Sequence, residues 1–354
     1  MIAAFDIPVT KVDRSRLSDT PLENLPFGRY FTDHMLEAEY ADGEWKSVQI
    51  RPYQALSLEP SLAALHYGQA IFEGIKAYRD AEGNAFIFRP FDNFRRFNTS
   101  AARMNMPEVP EEIFMEGMRK LIALDKNWIP AIKDHSLYIR PFMFATDTML
   151  GVRPSATYKF LIILSPTGPY FAAPMKILVE EHYTRAAPGG VGFAKNAGNY
   201  GGSMLAVTEA QKQGYDQVLW TDAFEHKWLQ EVGMMNVFFI INGVAVTPSL
   251  EEGTILHGVT RDSVMVVLKE MGLPVEERRI NIDELLAAYG KGQLQEVFGT
   301  GTAAVIAMVK ELKYKEFQMT FNVDNSPIAK AVKERLTAIR EGKAEDLHQW
   351  MWKV

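Results

Sequence analysis

The 354-residue chain contains no cysteine. That excludes disulfides, thiolate metal ligands and a cysteine nucleophile, so covalent chemistry here must use another side chain. A basic excess is missing too: 38 Lys and Arg against 44 Asp and Glu give a formal charge of −6. Binding a phosphate backbone needs the opposite surface, and no nucleic-acid partner is expected. No apolar run approaches the roughly 18–20 residues of a membrane span, and the segment MIAAFDIPVTKVDRSRL lacks the apolar centre of a signal peptide. The expectation is a cytoplasmic protein without membrane contact. The seven histidines are scattered, with no metal-ligand spacing and no HExxH, so no metal site is assigned. Internal repeats and low-complexity tracts are also lacking.

What is present is an ordinary folded composition, 47% hydrophobic, in a chain longer than the usual single domain of roughly 100–200 residues. Two domains, each mixed α and β, are expected. Residues 29–52 read as two strands around Asp42-Gly43, a tight-turn dipeptide. Strands are expected at 74–79, 85–89, 136–142 and 159–164, with helices from Phe91 and over 111–126. Phe94, Phe97, Ala101 and Met104 share one face of the first helix. The stretch SPTGPYFAAP, with three prolines and a glycine, reads as a linker over 165–174. It divides a smaller domain, 1–164, from a larger one, 175–354. In the latter the pattern gives strands at 175–180, 217–221, 236–241, 244–247 and 295–298 and an apolar run at 304–309. Helices are expected at 202–213 and from Thr260, and Asn242-Gly243 marks a hairpin.

Four segments carry candidate chemistry. In APGGVGFAKNAGNYGGS, Ala187 to Ser203, one lysine sits among six glycines with no acid nearby. Asn196 stands where a Walker loop needs Ser or Thr, and Lys195 falls where a dinucleotide fingerprint needs its third glycine; both templates fail. Two readings remain: a flexible surface loop with a solvated lysine, or a lysine nucleophile reached through small residues. Tyr200 would come near that lysine if 196–199 formed a turn. Glu231, ahead of the Asn242-Gly243 hairpin, is either a solvated edge carboxylate or an acid that keeps a pyridine nitrogen protonated. The stretch Leu256 to Arg261 runs from a loop into a helix start, a ready phosphate site. Gly299-Thr300-Gly301-Thr302-Ala303 is either a second set of backbone donors or a tight turn.

In chain order the segments FGRYFTDHML, HYGQAIFEGIKAY, RPFDNFRRF, YIRP, K-x-x-G-N-Y, EVGxMN, TPSL, LHGVTR and GTGTAA resemble the class IV aminotransferases, and within them the branched-chain aminotransferases. The resemblance covers most of the chain. It implies the fold-type IV α+β architecture, two domains with mixed sheets like that of D-amino-acid aminotransferases, and pyridoxal 5'-phosphate as cofactor. Lys195 would carry the cofactor covalently, Tyr200 would bond its phenolic oxygen and Glu231 would pair with its ring nitrogen. Its phosphate would be held by Arg96, by the N–H groups of Val259 and Thr260, and by Thr302, with Arg185 nearby. Phe27, Tyr67, Phe72, Tyr138 and Ala303, with Thr302, would line the substrate pocket, a largely apolar wall suited to Leu, Ile and Val.

Alternation on a strand puts Arg140 on the same face as Tyr138. In the family this arginine serves the side-chain carboxylate of glutamate, a charge-assisted contact. Leu150 and Val152 match a loop that reaches a neighbouring subunit's site, so a homodimer is implied. Met234 departs from the family, standing where relatives often carry threonine or another small residue. The expected reaction is transfer of an amino group between branched-chain L-amino acids and 2-oxoglutarate, with amino acids and 2-oxo acids as the small-molecule partners. The alternatives are a D-amino-acid aminotransferase or aminodeoxychorismate lyase, against which FTDHML and the Tyr138-Ile139-Arg140 strand argue. A non-catalytic phosphate-binding protein is the alternative of another class.

Overall fold

The computed structural model describes residues 6–170 and 173–354, and it divides into two compact units. The first holds the chain up to Tyr170 together with Ala194–Ala197 and Ile339–Val354. The second holds the segment from there to Phe193, and Gly198–Ala338. The expected boundary at 165–174 therefore needs two amendments. The strand expected to stop at Leu164 continues to Thr167, and the segment around Lys195 and the C-terminus belong with the N-terminal unit. Phe171 and Ala172, inside the expected linker, lie outside the described residues.

In the first unit β1 (His34–Ala41) and β2 (Glu44–Pro52) form the expected hairpin, with Asp42 and Gly43 at positive φ of 58° and 83°. A short helix α1 (Ala63–Tyr67) leads to β3 (Ala70–Phe72), which has no counterpart in the sequence expectation. Next come β4 (Ile75–Arg79), β5 (Ala85–Phe88), α2 (Pro90–Arg103), a π-helical turn at Glu112–Glu116, and α3 (Gly117–Leu124). The continuous helix expected over 111–126 is thus broken into pieces. β6 (Ser136–Ala145) and β7 (Tyr158–Thr167) are longer than their apolar runs suggested. All pairings in this sheet are antiparallel, in the order β5, β4, β6, β7, β1, β2, with β3 on β6 and the C-terminal strand Met351–Lys353 on β5.

The period of two along β6 decides what each face of this sheet is for. Leu137, Ile139 and Met143 join Phe97, Ala101, Phe114 and Phe160 in the main core, covered by α2 and α3. Ser136, Tyr138 and Arg140 therefore point the other way. At the far end of that second face Phe142 and Phe144 pack with Leu161 and Leu62 in a separate apolar cluster. The N-terminal segment is clamped to the unit by Asp33, which accepts from the Ser15 hydroxyl at 2.6 Å, the Arg16 N–H at 2.9 Å and the Trp128 indole N–H at 2.9 Å. That clamp places Phe27.

The second unit is a mixed sheet. Its elements, apart from Ala197, Ile339 and Arg340, which belong to the first unit, are β8 (Met175–Val179), α4 (Ala197–Lys212), β9 (Gln217–Thr221), β10 (Leu229–Val232), β11 (Asn236–Ile241), β12 (Val244–Thr247), α5 (Val259–Glu270), β13 (Val275–Glu277), α6 (Ile282–Gly290), β14 (Leu294–Gly301), β15 (Val305–Tyr314), β16 (Phe317–Thr320) and α7 (Pro327–Arg340). Parallel pairs β8 with β9, β8 with β15 and β12 with β13 combine with antiparallel ones. The Asn242-Gly243 turn is present, with φ of 51° and 75°. Gly299 to Gly301, expected as loop, continue β14, and only 302–304 turn. Val264, Val267 and Leu268 of α5 are buried, whereas Met271, just past its end, is exposed.

The loop joining β9 to β10 is organised by Asp222. Burial raises its pKa, but N–H groups of Glu225, Trp228, Lys227 and Phe224 outweigh it and bring the carboxyl down to about 2. A folded-state pKa below the ordinary value of about 3.9 adds stability at neutral pH that is lost as pH falls from about 4 through 2. Asp222→Asn is therefore expected to lower the urea midpoint at pH 7, with the gap to wild type closing at pH 2.5. A gap that persists undiminished at pH 2.5 would show that the carboxylate charge is not its source.

Candidate active site

Lys195 is held by its backbone. The Phe72 N–H donates to the Lys195 carbonyl at 3.0 Å, Asn196 bridges Ile71, and the Lys195 N–H donates to the Ser100 hydroxyl of α2 at 2.9 Å. Ala194 and Asn196 on either side are buried. The segment thus lies antiparallel beside β3, joined to it by an isolated bridge. Its side chain places Nζ 4.9 Å from the centroid of the Phe72 ring, and the Arg140 guanidinium carbon lies 4.6 Å from the same centroid. One aromatic ring serves two cations, an arrangement in which the ring quadrupole favours both. Of the two readings of the glycine-rich stretch, the solvated flexible loop does not describe this geometry. Asn199 further ties the stretch together in the second unit by donating to the Val191 carbonyl at 2.9 Å.

Around Arg140 the expected pocket residues of the first unit converge. Arg140 Nη2 donates to the Tyr138 hydroxyl at 3.0 Å. Phe27 meets Tyr138 edge-on at 4.8 Å and Tyr170 at 4.9 Å. Burial, followed by the neighbouring Tyr138, pushes the Tyr170 phenol up. Gly74 is a requirement of this wall, since a Cβ there would lie 2.2 Å from the Tyr138 hydroxyl oxygen. The residue before it, Glu73, is fully buried and accepts from Arg96 Nε at 2.7 Å and Nη2 at 2.8 Å. Such a bidentate pair fixes the plane of the guanidinium. A phosphate role for Arg96 has to coexist with it. Tyr67, Leu150 and Val152 are exposed in the chain, Val152 to 87%.

The second unit builds a separate cluster around Glu231, which is only 3% exposed, on strand β10. Its Oε1 accepts from the Leu256 N–H at 2.9 Å and from Asn236 Nδ2 at 3.3 Å, and Arg185 Nε stands 3.2 Å from Oε2. The reading of Glu231 as a solvated edge residue is thereby excluded. Arg185 sits on this carboxylate and also donates to the Thr254 carbonyl. Asn236 also donates to the Leu256 carbonyl at 2.9 Å, and a Cβ on Gly258 would come within 1.9 Å of its Oδ1. Gly258 is the N-cap of α5 and supplies no side-chain cap. Asn236 therefore links the carboxylate to a helix start that carries Val259 and Thr260.

The donor set in this unit fits a phosphorylated ring. A helix N-terminus favours a phosphate. Opposite Asn236 in the β11–β14 register lies Thr300, whose buried Oγ1 has no partner among the described residues. Thr302 and Ala303 occupy the turn next to it, and Val305, a β-branched residue, is held there at φ 60°. Backbone strain of this kind costs about 1–3 kcal/mol and gathers at ligand sites. Tyr200 lies in the first turn of α4, which begins at Ala197, so the expected turn over 196–199 is the start of a helix. Met234 is half exposed in the turn that follows β10.

Sequence reasoning passed over Glu73, Gly74, Ser100, Asn236 and Gly258, although all but Ser100 stand inside quoted motifs. Gly74→Ala is expected to displace the Tyr138 hydroxyl and loosen Arg140 while leaving the fold intact. An unfolding free energy lowered by no more than about 1–3 kcal/mol, together with weakened binding of a dicarboxylate such as glutarate, is the expected result, since overpacking at a pocket edge is relieved by side-chain movement. Undiminished glutarate binding would show that the contact is incidental.

The comparisons with known proteins agree with this geometry. Residues 70–312 match the model of the amino-transferase class IV family. A probable branched-chain-amino-acid aminotransferase of Staphylococcus epidermidis is 50% identical, covering 96% of this chain and 97% of its own. Among solved structures, the branched-chain aminotransferase of Thermoproteus uzoniensis with norvaline is 26% identical with a TM-score of 0.73, covering 90% of this chain and 99% of that one. The branched-chain amino acid aminotransferase from Escherichia coli is 27% identical with a TM-score of 0.71, covering 89% of this chain and 98% of that one. The pinned lysine, the buried Glu231 and the segments that carry them thus lie in a chain that belongs to the class IV aminotransferases.

Proposed function

We propose that this protein is a pyridoxal-phosphate-dependent aminotransferase that moves the amino group between branched-chain L-amino acids and 2-oxoglutarate. The observation that carries the reading is the placement of the Lys195 amine and the Arg140 guanidinium against the one Phe72 ring. Similarity to proteins named as branched-chain aminotransferases over nearly the whole chain supports it.

Lys195 would hold the cofactor, Glu231 would face its ring nitrogen, Tyr200 its phenolic oxygen, and the α5 start with Arg96 and Thr302 its phosphate. Arg185 acts through Glu231, holding that carboxylate in place. Bound pyridoxal phosphate supplies an electron sink for the pair of electrons released at the substrate's Cα. The chain's own work is then positioning and proton movement. With the cofactor bound, Lys195 Nζ would serve as the base that takes the proton from the substrate's Cα and holds it for return.

Phe27, Tyr138 and Tyr170 offer an apolar wall to the side chains of Leu, Ile and Val. Arg140 at the edge of that wall receives the second carboxylate of glutamate, so one pocket serves both half-reactions. We assign the exposed Leu150 and Val152 loop, organised by Asp147 through Thr157 and Ala156, to the neighbouring subunit's site in a homodimer. Among the described residues no helix is long and apolar enough to cross a membrane, and a cytoplasmic location is proposed with the activity.

Two measurements test this. Borohydride reduction of protein incubated with the cofactor should leave a pyridoxyl adduct on the Lys195 peptide and none in Lys195→Ala; an adduct elsewhere would overturn the assignment. Arg140→Met should cut kcat/KM for glutamate by roughly 10- to 100-fold, the worth of a hydrogen bond to a charged group, with a smaller effect on leucine. Equal losses on both substrates would remove Arg140 from the specificity argument.

A further inference from the structure

Glu231 stands on an irregular stretch of strand. β10 advances three residues, from Leu229 to Val232, while its partner β9 advances two, from Thr221 to Leu219. One extra residue in a strand re-aims a side chain, and such bulges gather beside active sites. The irregularity takes in Gln230 and Glu231, and both of these neighbours reach the same loop. Gln230 Nε2 donates to the Thr254 hydroxyl at 3.2 Å, and Glu231 Oε1 accepts from the Leu256 N–H at 2.9 Å. Gln230 and Thr254 are 3% and 2% exposed.

Thr254 is a junction. Its hydroxyl accepts from Gln230, and its carbonyl accepts from Arg185 Nη2. Arg185 Nε lies 3.2 Å from Glu231 Oε2, yet it has no hydrogen-bond partner of good geometry among the described residues. The charge pair therefore draws the two groups together without setting the tilt of the guanidinium, because direction comes from an aligned N–H. That alignment is supplied by the Thr254 carbonyl. The glycine-rich stretch packs against the same atom, since a Cβ on Gly192 would lie 2.5 Å from it. Gln230 Oε1 is buried and has no partner among the described residues. A buried amide satisfied at one end lowers stability relative to an apolar side chain of similar shape, so packing alone does not account for a glutamine here.

We propose that Gln230 and Thr254 are positioning residues: they fix the loop segment 254–256, and through Arg185 and the Leu256 N–H they keep the Glu231 carboxylate aimed at the cofactor's ring nitrogen. The inference rests on the aminotransferase reading above and extends it to two residues that touch neither cofactor nor substrate. A well-aimed carboxylate rewards a ring that carries a protonated nitrogen. It offers nothing to a ring with carbon at that position.

The test measures, on the full-length chain, the affinity for pyridoxal phosphate and for its analogue with CH in place of the ring nitrogen, with the thermal midpoint of each variant alongside. Wild type should prefer pyridoxal phosphate. In Gln230→Leu that preference should fall about tenfold, within the range of one hydrogen bond to a charged group, while the analogue binds as before. Thr254→Ser, which keeps the hydroxyl, should retain the preference. The double variant Gln230→Leu with Thr254→Val removes both polar partners, so its midpoint should return toward wild type with the preference still low. It also reads the ratio if Gln230→Leu alone does not fold. Equal losses on the two rings, or a preference that recovers together with the midpoint in the double variant, would overturn the proposal and leave the pair a packing feature. Wild type with no preference between the rings would instead overturn the placement of Glu231 at the ring nitrogen.

Discussion

Much of the candidate site hangs on one backbone hydrogen bond, from the Phe72 N–H to the Lys195 carbonyl at 3.0 Å. Without it a lysine in a run of glycines would sample many conformations, because glycine leaves the backbone largely unrestrained. With it, and with Ser100 receiving the Lys195 N–H, the chain returns to the N-terminal sheet for only four residues, Ala194–Ala197. Those four residues set where the amine stands relative to Phe72 and Arg140. A reactive group carried on a rigid sheet keeps its geometry better than one on a loop.

The sheet that receives Lys195 divides its two faces by alternation alone. Core residues such as Leu137 and Ile139 bury one side under α2 and α3. Tyr138 and Arg140 are thereby forced to the other. Burying charge is expensive, so such a face persists in a folded protein when its charges are used or neutralised. Arg96 illustrates neutralisation: Glu73 takes two of its N–H groups. Arg185 and Glu231 show the same pairing in the second unit, where the arginine steadies a carboxylate that is also held by backbone and by Asn236.

Much of this was legible in the residue order. The Asp42-Gly43 and Asn242-Gly243 turns, the α2 stripe around Phe97 and Ala101, the Val264, Val267 and Leu268 stripe of α5 and the ordered motifs all follow from local patterns. Strand ends were less legible. β6 and β7 run on through Phe144 and Ser165 to Thr167 because their partners continue to offer hydrogen bonds, which an apolar run does not reveal. β3 escaped notice because three residues carry no period. The break near Glu112–Glu116 escaped for a related reason: a π-helical turn keeps the same apolar residues in nearly the same order.

By itself the sequence determined the family, the one lysine set among six glycines, the alternation that pairs Tyr138 with Arg140, and the absence of cysteine. These depend on residue type and short spacing, which a linear chain displays. Only the tertiary structure decided that Arg185 rests on Glu231, that Asn236 joins Glu231 to the α5 start, and that Gly74 exists to admit a tyrosine hydroxyl. Most of these bring together residues far apart in sequence. A period of two tells which way a side chain points, but what it meets there is chosen by the packing of other segments.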